Sequence, residues 1–177
     1  MFKSLFLIIC LTFQLAVHAS GSDHDKHKGH SKMKASKRVM LNEKDQKEVL
    51  QVLEANEALH ASFFKYNAKE VEKQAKDLSV KIGKIENKEI AKLLSFSALK
   101  LKEIKSTSNR DDNNKNYHLV SMALIHIVNK YDVGSKYNAY SCPMVKKKWL
   151  QNSAKMSKVH NPYAAGMPHC GSQDSKH

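Results

Sequence analysis

Sulfur-bearing side chains are concentrated in two short segments near the carboxyl end of this 177-residue chain. Cys142 and Met144 flank a proline, and Met167 and Cys170 lie in a stretch that also holds His169. Because a proline favours an extended conformation for the residue before it, the side chains of Cys142 and Met144 are expected to face the same side. Thiolate and thioether sulfur are ligands that soft ions such as Cu(I) and Ag(I) prefer. The two segments are therefore a candidate soft-metal site.

The same cysteines allow a second interpretation, which spacing alone does not separate from the first. In an exported protein, Cys142 and Cys170 could form a disulfide that ties the C-terminal segment to the rest of the fold. Met144 and Met167 would then be packing residues beneath that bond. A soft-metal site and a disulfide both stay open at this point.

Residues 1–19 have the features of a secretory signal peptide. Lys3 precedes an apolar stretch that is shorter than the roughly 20 residues a membrane span needs. Val17 and Ala19 place small side chains at the two positions that a signal peptidase inspects. We therefore expect export to the periplasm, and cleavage would remove the third cysteine, Cys10, with the signal.

Residues 20–39 are expected to be a flexible leader that is rich in histidine. The segment is polar and has no apolar periodicity, so it cannot offset the entropy of ordering. His24, His27 and His30 recur at three-residue intervals, and short histidine-rich tracts bind transition metals weakly. The alternative is a solvated basic leader whose histidines have no function.

Residues 40–134 are expected to form four amphipathic helices. The region contains no proline, and apolar residues recur at helical spacing in four segments. Polar residues that favour helix starts precede these segments, namely Asn42, Asn67, Asn87 and the pair Asp111 and Asp112. Four helices with short connections bury their apolar stripes most simply as an antiparallel four-helix bundle, so the predicted fold class is all-α. Residues 135–177 are predicted to be an irregular wrap packed on the bundle, with a β-leaning stretch at 137–141.

The fourth predicted helix carries a further row of potential ligands. His118, Met122 and His126 lie at positions i, i+4 and i+8, and His60 of the first helix is a candidate neighbour. The preferred alternative is that the histidines lie at the edge of the apolar stripe and that the methionine fills the core.

The C-terminal segment resembles a family of bacterial periplasmic proteins that is known only as a domain of unknown function. The shared motifs are Cys142-Pro143-Met144, Trp149-Leu150-Gln151, Asn161-Pro162-Tyr163, Met167 and Cys170-Gly171. That family is similar to the C-terminal module of copper/silver efflux adaptor proteins. The resemblance is dense over residues 140–171 and weak through the helices. It departs at residues 164–166, where the family often has a glycine and an aromatic residue.

This resemblance implies a helical bundle with a C-terminal wrap, a role in heavy-metal handling and no enzymatic activity. By analogy, the metal ligands would be Cys142, Met144, Met167 and Cys170, with His169 as a local addition. Four other motif residues would fix the loop instead: Trp149, Asn161, Pro162 and Tyr163.

Composition and motifs argue against several other classes of function. A hydrophobic content of 41% is too high for a wholly disordered chain, and six glycines and three prolines leave few turns. No phosphate-binding loop, nucleophile elbow or metalloprotease motif is present, so we expect no enzyme. The net charge of +13 would suit nucleic acid, but the lysines are scattered and export separates the protein from nucleic acid.

The sequence therefore predicts a periplasmic, non-enzymatic protein that binds Cu(I) or Ag(I). Such a protein would buffer the ion or pass it to a heavy-metal efflux system. The alternative is a structural or adaptor module with a Cys142–Cys170 disulfide and no metal of its own.

Overall fold

The computed structural model describes residues 37–177. Its helices are α1 (Glu43–Phe64), α2 (Ala68–Ile82), α3 (Lys88–Lys102) and α4 (Arg110–Lys130). Its strands are β1 (Val39–Met40), β2 (Tyr131–Asp132), β3 (Tyr137–Cys142), β4 (Lys147–Asn152) and β5 (Ser172–Gln173). The predicted signal peptide and most of the predicted leader, including His24, His27 and His30, lie outside the described residues.

An asparagine side chain caps the start of each helix. Asn42, Asn67, Asn87 and Asn109 each accept a hydrogen bond from a backbone N–H in the first turn of the helix that follows. A cap of this kind contributes about 1 kcal/mol, and acidic residues in each first turn complement the helix dipole. The three asparagines expected at the first three starts are the caps. The fourth helix is capped by Asn109, and the two acids follow in its first turn.

The helices pack on one another in chain order, α1 on α2, α2 on α3 and α3 on α4. Their apolar faces contribute to one hydrophobic core. Side chains also join the first helix to the last, because the rings of Phe63 and Tyr117 stack with their centroids 4.5 Å apart. The Tyr117 hydroxyl donates a hydrogen bond to the buried Asn56 side chain at 3.3 Å.

The prediction of an all-α fold is wrong. The segment after α4, which we expected to be an irregular wrap, contains a three-stranded antiparallel sheet in the order β4-β3-β5, and β1 pairs in parallel with β2. The fold is therefore mixed α and β. Polar and apolar residues do not alternate along β3 and β4, because both faces of these strands are largely buried. A strand buried in this way lacks the period of two that identifies strands in sequence.

The three-stranded sheet places the C-terminal end of the chain beside β3. Strands β3 and β4 form a hairpin in which Tyr140 pairs with Trp149. Strand β5 pairs with the other edge of β3, where Ser141 lies opposite Ser172. This register places the residues just before β5 beside the end of β3.

Among residues 37–177, no helix has both the length and the apolar content that crossing a membrane requires.

Glu57 of α1 ties the helices to the hairpin. Its carboxylate accepts hydrogen bonds from the Tyr137 hydroxyl and from the Asn152 amide, the latter at 2.7 Å. It also forms an ion pair with Lys155 at 2.7 Å. Burial raises the pKa of the Glu57 carboxyl, but the hydrogen bonds from these three partners outweigh burial and lower the pKa below its ordinary value.

We expect Glu57→Gln to lower the free energy of unfolding at pH 7 by about 1–2 kcal/mol, because an amide replaces a charged acceptor of three hydrogen bonds. A lowered carboxyl pKa contributes stability above the unfolded pKa, and that stability is lost as the pH falls through the folded pKa. Urea unfolding should therefore show a larger difference between the variant and the wild type at pH 7 than at pH 3. Glu54→Gln, at an exposed position of the same helix, should change stability by less than about 0.5 kcal/mol. An equal loss at both pH values would contradict this account.

Candidate functional site

The described part of the chain has two cysteines, and both are free thiols. Cys142 is the last residue of β3 and is 1% exposed, whereas Cys170 is half-buried in the turn before β5. The two thiols lie close enough together that each shifts the pKa of the other. The fold thus joins two sulfurs that are 28 residues apart in the sequence.

Hydrogen bonds around the sulfur of Cys142 favour a thiolate. Burial raises the pKa of the Cys142 thiol, but contacts with the Cys170 thiol, with the backbone of Val145 and Met144, and with the Asn161 side chain together lower it. The hydrogen bond to Cys142 raises the pKa of the Cys170 thiol. Of the two sulfurs, Cys142 is therefore the one whose thiolate is favoured. A thiolate is the form of cysteine that binds metals and attacks electrophiles.

Gly171 allows the close approach of the two cysteines. Its φ is +140°, a conformation that side-chain-bearing residues rarely adopt. A Cβ atom at this position would lie 2.6 Å from the carbonyl oxygen of Ser141 and 2.8 Å from the ring of Trp149. Only glycine therefore lets the chain run against β3 at this point.

Asn161 links the C-terminal loop to the thiols. Its side-chain amide donates to the carbonyl of Cys170 at 2.9 Å, and its side-chain oxygen accepts from the backbone N–H of Tyr163 at 2.9 Å. Its backbone N–H donates to the carbonyl of Pro168 at 2.8 Å. The sequence motif indicated only a role in the loop, whereas the Asn161 side chain also lies close enough to Cys142 to lower the pKa of its thiol.

The remaining motif residues pack the loop against the hairpin and α4. Trp149 is fully buried, stacks with Tyr140 at a centroid distance of 6.0 Å and meets the edge of Tyr163 at 6.2 Å. The Tyr163 hydroxyl donates to the carbonyl of Lys148 at 3.2 Å. Pro162 is buried, and its carbonyl accepts a hydrogen bond from an arginine of α4.

The other predicted ligands lie on the surface. Met144 is 67% exposed, and Met167 is 41% exposed. His169 is exposed, and its Nδ1 lies 2.6 Å from the carbonyl of Val159. Among residues 37–177, no three His, Cys, Asp or Glu side chains form a group that could hold a metal ion. A metal on the two thiols would thus take any third ligand from a thioether or from outside the chain.

The row of candidate ligands predicted on α4 lies on the side of the helix that faces solvent. His118 is half-buried, with its Nδ1 within 3.3 Å of the backbone nitrogen and oxygen of Lys148, and burial lowers its pKa. His126 is exposed, and Met122 is 41% exposed, so the expectation that this methionine fills the core is wrong. His60, the candidate neighbour, is buried near the C-terminal end of α1, close to His160.

No family model matches the chain, no curated protein matches it, and no solved structure matches it.

Proposed function

We propose that this protein is exported to the periplasm and binds Cu(I) or Ag(I) through Cys142 and Cys170. In that role it buffers the ion or passes it to a heavy-metal efflux system, without catalysing a reaction. The observation that carries the proposal is that two free thiols from distant parts of the chain lie close enough to shift each other's pKa. The resemblance of the surrounding motifs to an efflux-adaptor module supports the same role.

The chemistry of the pair suits soft monovalent ions. Cu(I) and Ag(I) accept two or three sulfur ligands, whereas a structural zinc site takes four nitrogen or sulfur ligands and rarely a thioether. Met144 and Met167 lie two and three residues from the thiols and are exposed, so either thioether is available as a third ligand.

The surroundings of Cys142 also lower the free energy needed to remove the thiol proton when a metal binds. A metal must displace the thiol proton, and a lowered pKa reduces the free energy of that step at neutral pH. The backbone groups of Met144 and Val145 and the Asn161 side chain stabilise the thiolate before any ion arrives. Such outer partners orient a ligand and commonly change metal affinity by about 10- to 100-fold.

The test is a titration of the reduced protein with Cu(I) against a competing chelator. We expect wild-type protein to bind one tight equivalent and Cys142→Ser/Cys170→Ser to lose at least about a hundredfold in affinity, because both thiolates are removed. The control is Met122→Leu/His126→Gln, which alters soft ligands on the exposed face of α4 and should bind as the wild type does. Unchanged affinity in the cysteine variant would overturn the proposal.

The same contact between thiols favours one other candidate, a structural module in which Cys142 and Cys170 form a disulfide. The mass of protein isolated from the periplasm, measured with and without reductant, separates the two. A deficit of two hydrogens that reductant restores supports the disulfide, and an unchanged mass supports the metal site. The same spectrum gives the first residue, which should be Ser20 if residues 1–19 are a cleaved signal.

A further inference from the structure

The C-terminal part of the chain carries a strong excess of positive charge. Residues 135–177 contain seven lysines and one acidic residue, Asp174. Three of these lysines are consecutive, at residues 146–148, where the loop between β3 and β4 ends and β4 begins. We call residues 143–148 the hairpin tip. Its charge makes it a candidate surface for a negatively charged partner.

The fold places these lysines around the end of the hairpin. Strands β3 and β4 stay paired up to Lys147, so residues 143–146 form the loop that joins them. Successive residues of a strand point to opposite faces, so Lys147 and Lys148 extend on the two sides of the hairpin. Lys146 is exposed in the loop between the strands. All three ammonium groups are thus able to reach one surface that lies in front of the hairpin tip.

Two of the three lysines have no acidic partner to neutralise them. The side chain of Lys148 pairs with Asp174 at 3.0 Å. Among residues 37–177, neither Lys146 nor Lys147 forms an ion pair with an acidic side chain. The nitrogen of Lys147 lies 5.8 Å from the centroid of the Tyr163 ring, a contact that leaves its charge in place. The hairpin tip therefore keeps a net positive charge.

An apolar side chain stands among these charges. Met144 is 67% exposed, and its neighbour Val145 is half-buried. The backbone of both residues lies close enough to Cys142 to lower the pKa of its thiol, so the loop is held against the end of β3. The thioether side chain is therefore presented to solvent on an ordered loop, and its insertion into another phase requires little further ordering.

The kinds of residue present favour a lipid surface over a protein partner. Protein interfaces are enriched in arginine and in aromatic side chains and are depleted in lysine. Residues 135–177 contain no arginine, and every tyrosine and tryptophan of the segment is buried. Lysine is a flexible and strongly hydrated point charge, which suits diffuse attraction to a layer of phosphate headgroups. An apolar side chain between such lysines enters the boundary between headgroups and acyl chains.

We propose that the hairpin tip binds the surface of an anionic phospholipid membrane. Met144 enters the headgroup region, and Lys146 and Lys147 lie against lipid phosphates. The contact requires no metal on the two thiols and goes beyond the role proposed above. Because Cys142 directly precedes the hairpin tip, binding places the thiol pair close to the membrane.

The test is co-sedimentation of the metal-free protein, isolated from the periplasm, with vesicles of phosphatidylglycerol and phosphatidylcholine. Binding should require phosphatidylglycerol and should weaken as the salt concentration rises. Each lysine at such a surface strengthens binding about fivefold, so Lys146→Gln/Lys147→Gln should weaken it about 25-fold. The matched control is Lys88→Gln/Lys92→Gln, which removes the same charge from exposed positions of α3. This control should weaken binding less than about threefold, because charges away from the contact are screened.

A second measurement locates the apolar side chain. In protein labelled with ¹³C at the methionine methyl groups, bicelles of the same lipids that carry a nitroxide on the acyl chain should broaden the resonance of Met144. The resonance of Met122, which is 41% exposed on α4, should stay sharp. Met144→Gln should weaken sedimentation at least about threefold, because it removes the buried apolar surface. Met122→Gln should leave sedimentation unchanged.

Three results would overturn the proposal. The first is a failure to sediment with anionic vesicles at low salt, and the second is an equal loss of binding in the two lysine variants. The third is a loss in Lys146→Gln/Lys147→Gln while the Met144 resonance stays sharp, since a contact through charge alone is what an acidic protein would also provide. Neither measurement involves the thiols, so this proposal and the Cu(I) proposal fail separately.

Discussion

Gly171→Ala is expected to separate the two thiols and to cost the C-terminal sheet about 4 kcal/mol, of which roughly half comes from the backbone and half from crowding. The added Cβ atom would meet the carbonyl oxygen of Ser141 at 2.6 Å and the ring of Trp149 at 2.8 Å. Neither neighbour can move easily, because the first is backbone within a strand and the second is fully buried. The positive φ of Gly171 adds backbone strain, because a residue with a Cβ atom rarely adopts that conformation.

Strand β5 is only two residues long, so we expect it to detach from β3 while the rest of the fold stays intact. Detachment carries Cys170 away from Cys142. The rate at which the two cysteines form a disulfide under a mild oxidant should therefore fall at least about tenfold, since their effective concentration falls. Gly166→Ala is the matched control, because its φ is not positive and no atom lies within 4 Å of its added Cβ. Oxidation of Gly171→Ala at the wild-type rate would show that the close approach does not depend on this glycine.

Mild acid is expected to destabilise the metal-free protein chiefly through His60. The pKa of His60 is about 4 in the folded protein, against 6.5 for an ordinary histidine. Between these values the unfolded chain binds a proton that the folded chain does not, so stability is complete above pH 6.5 and is lost as the pH falls towards 4. The loss should reach about 2 kcal/mol at pH 5 and about 3 kcal/mol at pH 4.

Urea unfolding at pH 7.5 and pH 5, in the presence of a chelator, measures this dependence. His60→Phe should remove about 2 kcal/mol of the difference, because a phenyl ring fills the same buried space and takes no proton. A smaller difference should remain, since burial also lowers the pKa values of His118 and His160. His126→Gln, at an exposed position, should behave as the wild type does. An acid response of full size in His60→Phe would falsify the assignment.

The helices could be predicted because their signals are local. Asn42, Asn67 and Asn87 lie at the starts of helices and cap them, and the apolar spacing that follows each one needs no information from the rest of the chain. Of the strands, only β3 was anticipated, as a β-leaning stretch at residues 137–141, and the sheet itself was not. Buried polar residues such as Asn138 and Gln151 look like surface residues in sequence, and only the folded hairpin supplies their hydrogen-bond partners.

The candidate sites divide along the same line. Residue type and motif identified Cys142 and Cys170, but their interaction depends on the pairing of β5 with β3, which no local pattern specifies. The proximity of His60 on α1 to His160, in the loop after β4, is likewise specified by no local pattern. Both arrangements depend on contacts between residues far apart in the chain, and the periodicity of a sequence does not indicate such contacts.

The attachment of β5 to β3 also sets an order of events in biosynthesis. The helices can pack early in folding, since each contacts its neighbour in sequence. The sulfur of Cys142 stays uncovered until residues 170–173 have been made and have docked. A nascent chain of this protein is thus unable to hold an ion between its two thiols, and loading has to wait for the finished polypeptide.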